Sequence, residues 1–390
     1  MTAGVGEVFA VALRLGLTSF GGPIAHLGFF REEYVTRRRW VSDEAYSEIV
    51  ALCQLLPGPA SSQVGFAIGW TQRRLAGALA AFVGFSLPSA LVLAGFGALV
   101  ATGDVAEATW LRALKIVAVA VVLDAVLGMG ARLAATARTA TVAAATFAVI
   151  VLVGSPLAQV GALVAAGLVG TWLFRGAIPA GPSDLPLTVS RRWGLTALLI
   201  LVGLLTMLPV LASTGVLAQL AAIHLRAGAL VFGGGHVVLP LLEESVVTEL
   251  MDSSTFLAGY GMAQAVPGPL FTFAAYLGFI MGPQPNGISG AALCLFALFL
   301  PSFLLSIGPL PFWDQLRRRP DAQAVLRGVN AAVVGLLLAA LYHPVWTSGI
   351  LSARDFALGV AAFLLLHMWK TPPWLVVILS ALGGALIAKL

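Results

Sequence analysis

Long apolar runs separated by short polar or basic stretches dominate this chain. In the first half they fall near residues 5–20, 43–72, 74–100, 108–130, 139–154 and 156–174. In the second half they fall near 215–232, 254–282, 288–308, 324–345, 355–369 and 372–388. Runs such as Ala76–Val100, Trp193–Ala212 and Gly287–Leu305 reach the roughly 20 residues that a helix needs to cross about 30 Å of hydrocarbon. The pattern predicts an all-α polytopic membrane protein with about 12–13 membrane segments. A polar connector, Gly176–Arg192, is followed by one helix at 193–212 that has no counterpart. The expected organisation is a repeat over 1–175, a connector with its helix over 176–214, and a second repeat over 215–390. Two runs, 43–72 and 254–282, are interrupted at the middle by Pro-Gly-Pro. Proline removes a donor and clashes with the preceding turn, and glycine frees the backbone, so each is predicted to be a broken helix. Ser42-Asp43 and Asp252-Ser253 supply N-cap side chains at equivalent starts.

The order of motifs is kept between the halves. Leu13-Arg14-Leu15-Gly16-Leu17-Thr18-Ser19-Phe20-Gly21-Gly22 is echoed 212 positions later by Leu225-Arg226-Ala227-Gly228-Ala229-Leu230-Val231-Phe232-Gly233-Gly234. Gln54-Leu55-Leu56-Pro57-Gly58-Pro59 returns as Gln264-Ala265-Val266-Pro267-Gly268-Pro269, Leu87-Pro88-Ser89 as Leu300-Pro301-Ser302, and Leu111-Arg112 as Leu326-Arg327. A duplicated domain explains this order, and in a membrane protein such a duplication usually builds a transporter around the repeat interface.

Composition agrees. The chain is 59% hydrophobic and only 10% charged, with a mean hydropathy of +0.97, far from the roughly 25% charged residues of soluble proteins. Met1–Ala12 has no Lys or Arg, so the first run reads as a retained helix rather than a secretory signal. A net charge of +5 would be compatible with nucleic acid, but the arginines cluster at the ends of apolar runs, as membrane anchors do. Cys53 and Cys294 both lie in apolar segments, which argues against a disulfide framework or a cysteine metal site. No catalytic triad, metal-spaced cluster or phosphate-binding loop appears, so neither an enzyme nor a cofactor is expected.

The relative orientation of the repeats depends on one count. If each broken helix crosses, six segments and the unmatched helix make an odd number of crossings, and the second repeat is inverted. Arg37, Arg38 and Arg39 with Arg73 and Arg74 flank both ends of 43–72, which favours a re-entrant hairpin instead. Leu239–Asp252 is acidic whereas Arg317–Arg319 is basic, and this asymmetry favours inversion. Inversion is the expectation; whether the broken helices cross or re-enter stays open.

Candidate chemistry follows the repeats. Arg14 and Arg226 lie in apolar runs at matched positions, where a central arginine costs on the order of 2.5–3.5 kcal/mol. Each either snorkels to an interface or contacts an anion. Phe20-Gly21-Gly22 and Phe232-Gly233-Gly234 are either helix caps or unwound stretches whose backbone faces a ligand. After Pro59 a new helix starts at Ala60-Ser61-Ser62-Gln63, where free N–H groups and the positive dipole end can hold an oxyanion. Ser61, Ser62, Gln63 and Gln54 would add donors; the second copy offers Gln264 and Thr272 around Pro267-Gly268-Pro269. The arrangement expected is two breaks facing each other near mid-membrane, more polar on the first side. Glu32, Glu33, Glu243 and Glu244 read as ion pairs rather than proton relays, and His26 and His236 as helix-end histidines.

These paired motifs resemble the chromate ion transporter family in its two-domain form. The residues that carry the resemblance are Phe20-Gly21-Gly22-Pro23 with Arg31-Glu32-Glu33-Tyr34, Phe232-Gly233-Gly234-Gly235-His236 with Pro240-Leu241-Leu242-Glu243, and the two Gln-x-x-Pro-Gly-Pro phrases. Together they span essentially the whole chain. The resemblance implies a multi-pass protein of the cytoplasmic membrane that exports chromate, confers resistance to it, and meets sulfate as a look-alike. An anion channel, or a carrier for another oxyanion such as sulfate, is the alternative. The lipid bilayer and the oxyanion are the implied partners, with a homodimer possible and no nucleic acid.

Overall fold

The computed structural model describes residues 3–20, 22–102, 109–153, 155–175, 189–231, 237–247, 250–282, 285–313, 315 and 319–387. Helix is the only regular structure among them, as hydrocarbon demands of a chain whose backbone groups must pair within their own segment. Five of these helices are long and apolar enough to cross a bilayer, and shorter apolar helices accompany them. The chain is a multi-pass membrane protein.

Each half opens with two hairpins that enter the membrane and turn back. Helix α1 (Val5–Thr18) stops at Ser19, whose backbone is extended. Helix α2 (Gly22–Phe30) and the π-helical turn Arg31–Arg37 return the chain to its starting level, where Arg38 meets Glu7 at 2.7 Å. The second hairpin joins α3 (Asp43–Leu55) to the first arm of α4 (Ala60–Ala101) through Leu56–Pro59. Its outer ends are together: Gln72 Nε2 donates to the Trp40 carbonyl at 3.4 Å. Gln72 Oε1 also accepts from the Ala3 N–H at 3.1 Å, and Arg73 Nε donates to the Ala3 carbonyl at 2.8 Å. Ser42 caps α3 by accepting from the Ala45 N–H. Arg31 grips Asp43 through two hydrogen bonds of 2.7 and 3.0 Å, which hold that carboxyl below the usual carboxylate range.

Helix α4 is two antiparallel arms. Arg73 (φ −142°, ψ 34°) and Arg74 (φ 49°, ψ −138°) leave the helical region, and residues 60–72 fold against 75–101. Gly69 and Gly77 permit the contact, since a Cβ on either would sit 2.3 or 2.2 Å from the other's carbonyl oxygen. In one straight helix they would be about 12 Å apart. The second arm, about 40 Å long, crosses the membrane.

The second half repeats this order with α9 (Val216–Leu230), α10 (Val238–Val246), α11 (Ser253–Ala265), the 3₁₀ turn Leu270–Thr272, α12 (Phe273–Ile280) and α13 (Gly287–Ile307). Asp252 caps α11 through the Thr255 N–H. The Tyr276 hydroxyl donates to the Thr255 carbonyl at 2.8 Å, so this hairpin too has both outer ends at one level. Gly278 and Gly290 repeat the close contact of Gly69 and Gly77.

The long arm of α4 shows that the hairpins enter from opposite faces. Its start, at Gly77, lies against the outer end of the α3–α4 hairpin. Near its far end, Phe96 stacks on Tyr276 at 5.4 Å and Gly97 lies against Phe279, which is the outer end of the α11–α12 hairpin. The two repeats are therefore inverted. Broken helices that crossed would give a different number of spans. With re-entrant hairpins, the spans of the first half are the α4 arm, α5 (Thr109–Leu133), α6 (Ala137–Val153) and α7 (Pro156–Leu173), and α8 (Arg191–Ala212) makes the total odd.

The remaining helices interlock the repeats. Helix α5 packs on α15 (Ala353–His367) and α16 (Pro373–Ile387), whereas α14 (Pro320–Ala340) packs on α6 and α7. The unmatched α8 lies on α9 and α13. Tracing the chain puts Arg73, Arg74, Arg132, Arg138, Arg191 and Arg327 at one face, and Arg112, Lys115 and Arg354 at the other.

Within each repeat the first helix crosses the long one at a glycine. A Cβ on Gly16 would lie 2.5 Å from the Phe85 carbonyl oxygen, and one on the matching Gly228 would lie 2.0 Å from that of Leu298. Gly228→Ala should therefore cost about 1–3 kcal/mol of stability through overpacking. Gly6→Ala, where nothing lies within 4 Å of the new methyl, should fall within about 1 kcal/mol of the parent. Thermal unfolding of the two variants in detergent checks this, and equal melting of both would contradict the packing.

Candidate functional site

Each hairpin tip is tied crosswise to the other half. The Gly58 N–H donates to the Val231 carbonyl at 2.7 Å, and the Gly268 N–H donates to the Ser19 carbonyl at 3.0 Å. Ser19 and Val231 are equivalent positions in the two repeats. Each Pro-Gly-Pro break thus closes on the end of the first helix of the other half. Both glycines have positive φ, +123° at Gly58 and +103° at Gly268, a region open to glycine. A Cβ on Gly58 would lie 2.4 Å from Ser302 Oγ, and one on Gly268 would lie 2.9 Å from Ser89 Oγ. Ser89 and Ser302 are again equivalent. They follow Pro88 and Pro301, where proline removes the helical donor.

Around this knot lies a buried polar cluster. Ser19, His26, Ser61, Ser62, Gln63, Ser86, Ser89, Thr272 and Ser302 are all 3% exposed or less. His26 Nδ1 is 3.2 Å from Ser61 Oγ, and its ring meets Phe85 edge-on at 5.3 Å. Gln63 Nε2 donates to the Pro57 carbonyl at 2.7 Å and Thr272 Oγ1 to the Pro269 carbonyl at 2.7 Å. Each break therefore has a side chain from the following turn on its own carbonyl. Several polar atoms here have no protein partner: Ser19 Oγ, Ser62 Oγ, Ser86 Oγ, Ser302 Oγ, His26 Nε2 and Gln63 Oε1. Buried hydroxyls without partners are costly at membrane depth, and such donors are what a small anion would engage. The first turn of α4, with its unpaired N–H groups and positive dipole end, opens beside them. None of these side chains is a carboxylate, ammonium or guanidinium.

The structure sorts the residues singled out from sequence. Gly58 lies against Val231 and Ser302, and Gly268 against Ser19 and Ser89. Gln63 and Thr272 bond back to Pro57 and Pro269, Ser61 reaches His26, and Ser19 leads into Phe20. Gly21, Phe232, Gly233, Gly234, Gly235 and His236 lie outside the described residues. Gln264 is half-buried with its Nε2 unpartnered, whereas Gln54 is exposed. The matched arginines part company. Arg226 donates to Ser245 at 2.6 Å beside Glu244, while the Arg14 side chain is exposed, outside the buried cluster. Glu32 and Glu33 are in ion pairs with Arg37 and Arg38, at 3.1 and 2.8 Å. Reading the sequence for sites missed Ser19, Ser86, Ser89 and Ser302 and undervalued His26. The repeated Leu-Pro-Ser phrase was the available signal for two of them.

A family model described as chromate transporter matches residues 6–171 and again 218–385. The chromate transport protein of Cupriavidus metallidurans is 29% identical over 84% of this chain and 80% of its own length. The probable chromate transport protein of Synechococcus elongatus is 29% identical over 96% and 93%, and the chromate transport protein of Pseudomonas aeruginosa is 28% identical over 97% and 91%. No solved structure matches the chain.

The crossed bonds make a specific demand on the two glycines. Gly58→Ala and Gly268→Ala should each lose about 1–3 kcal/mol from backbone strain alone. Adding Ser302→Gly to Gly58→Ala should recover only the part due to collision. Melting temperatures of the single and double variants measure this, and a fully restored double variant would show that φ at residue 58 is not the constraint.

Proposed function

The chain belongs to the chromate transporter family, and on that premise we propose that it is a secondary carrier of the cytoplasmic membrane. It exports chromate, a tetrahedral dianion, and so confers resistance; sulfate competes by shape and charge. The observation that carries this reading is the buried cluster at the crossed hairpin tips. Bare hydroxyls and an imidazole lie buried about the start of the first arm of α4, where the Gln63 amide N–H holds the Pro57 carbonyl. Removing a dianion from water needs several donors at once, and helix N-termini and hydroxyls supply them without a fixed counter-ion that would hold the anion too tightly. Phe20, Gly22, Gln264 and Thr272 fill the remaining sides in this reading. Arg226 supports the field from α9, and Arg14 acts outside the cluster, on the approach to it.

Orientation follows from charge. The face bearing Arg73, Arg74, Arg132 and Arg138 is the cytoplasmic one by the positive-inside rule. The repeats also differ in packing. Helix α11 is covered by α5 and α16, and Gly261 on it touches the Leu114 carbonyl. The matching face of α3 is exposed at Ala51 and Gln54. That difference supports a resting state sealed from outside and thinner toward the cytoplasm, which exchange of the two packings would reverse. Export of a dianion from an inside-negative cell gains about 4.6 kcal/mol at roughly 100 mV. The potential alone sustains a ratio above about a thousandfold.

Everted vesicles containing the protein should accumulate chromate when energised, saturably and with competition by sulfate. Ser62→Ala should weaken uptake by about tenfold or more, since it removes an unpartnered hydroxyl donor, and Gln63→Leu should weaken it by freeing the Pro57 carbonyl that the amide N–H holds. Uptake no greater than in empty vesicles would overturn the assignment, and unitary currents in a planar bilayer would replace the carrier by a channel.

A further inference from the structure

At the face rich in arginine, the end of α5, the start of α6, the end of α7 and the start of α14 border an open cavity of about 710 Å³. Its polar lining is Arg132, Thr136, Arg138, Thr139, Arg327 and Asn330, and the described residues that line it include no carboxylate. Arg138 gives one hydrogen bond to the Leu173 carbonyl at 3.2 Å. Three guanidinium groups, all solvent-exposed, line one pocket and concentrate positive charge where an anion can join them.

The other repeat contains the same construction with the negative charge built in. Leu326-Arg327 corresponds to Leu111-Arg112, and Thr136-Ala137-Arg138-Thr139 at the start of α6 corresponds to Ser352-Ala353-Arg354-Asp355 at the start of α15. There, Asp355 Oδ2 accepts hydrogen bonds from Arg112 at 2.7 Å, the Leu351 N–H at 3.1 Å and the Ser352 hydroxyl at 2.9 Å. It is an oxyanion site occupied by the protein's own carboxylate. In the first repeat the helix cap is retained. The Thr139 N–H donates to Thr136 Oγ1 at 3.3 Å, as the Asp355 N–H donates to Ser352 Oγ at 3.2 Å. Only the carboxylate has gone, replaced by Thr139, while Arg327 stays and Arg132 and Arg138 line the same cavity.

We infer that this cavity is a second anion site, which binds a phosphate- or sulfate-class oxyanion between Arg327 and the start of α6. The ligand takes the place that Asp355 fills in the other repeat. It can be a free dianion or the phosphate of an anionic lipid, because both present oxygens that suit guanidinium forks and a helix N-terminus. The site lies at the membrane surface, apart from the central cluster, and does not depend on the transport reading.

The test uses the full chain in nanodiscs of phosphatidylcholine, with radiolabelled sulfate as probe and Thr139→Asp as the decisive variant. The introduced carboxylate should pair with Arg327 as Asp355 pairs with Arg112. The variant should then bind one sulfate fewer per chain than the parent, whatever the central site holds. Arg327→Gln, which adds no charge, should weaken the same sulfate by about tenfold or more, and it keeps the test decisive if Thr139→Asp fails to fold. In nanodiscs containing phosphatidylglycerol, native mass spectrometry should show lipid retained by the parent and lost from both variants if a lipid phosphate is the occupant. Sulfate loss without a lipid difference identifies a free anion. Equal sulfate stoichiometry and equal lipid retention in all three proteins would overturn the inference.

Discussion

Two backbone hydrogen bonds, Gly58 to Val231 and Gly268 to Ser19, are the constraint on which the centre of this molecule depends. Each satisfies a donor at a hairpin tip and an acceptor at a broken helix end, both in surroundings where an unpaired group costs several kcal/mol. Because each bond joins one repeat to the other, neither half can complete its own interior. The glycines are dictated by the same bonds: the tip turns with positive φ, and the long helix of the opposite repeat passes against it at Ser302 or Ser89. The remaining architecture serves this crossing, with α5 seated among the helices of the second repeat and α14 among those of the first.

Inversion makes the halves alike in backbone and leaves them free to differ in charge. In the second half Arg226 is engaged by Ser245 next to Glu244. In the first half, the acids nearest that register, Glu32 and Glu33, are taken by Arg37 and Arg38, and Tyr34 is packed between Phe30 and Trp40. Arg14 is left with a different environment from its twin although its neighbours in sequence are nearly the same. The divergence at Thr139 and Asp355 is of the same kind. One side-chain change in a helix cap shared by the two repeats alters whether a positive cluster is internally neutralised.

Much of the architecture was legible in the residues. Pro-Gly-Pro, the Phe-Gly-Gly ends and the N-caps at Ser42 and Asp252 each impose a local conformation, so the broken helices and the duplication could be read directly. The hairpins could not, because a broken run of about 30 residues is compatible with crossing or returning. Arginines at both ends of 43–72 did point to a return. The tight turn at Arg73-Arg74 was hidden, since neither residue is a turn former and the apolar pattern continues across it. In the central cluster, the polar residues after Pro59 were visible from their place at a helix start. Ser86 was not, because an isolated serine in an apolar helix looks like small-residue packing, and the repeated Leu-Pro-Ser phrase marked Ser89 and Ser302 without showing that they face the opposite tip.

The crossed bonds also set an order of assembly. Gly58 is synthesised well before Val231, and at roughly 5–20 residues per second that interval is on the order of ten seconds. For that time the first Pro-Gly-Pro tip has a backbone donor without its native acceptor, in a medium that offers little water. The nascent first half must keep this tip near the membrane surface, lend it a temporary acceptor, or delay its insertion until α9 arrives. A repeat protein whose halves merely stacked would escape this wait. Here the closing of the interior is a late event in biogenesis, and the first half spends its early life as an open structure waiting for its mirror image.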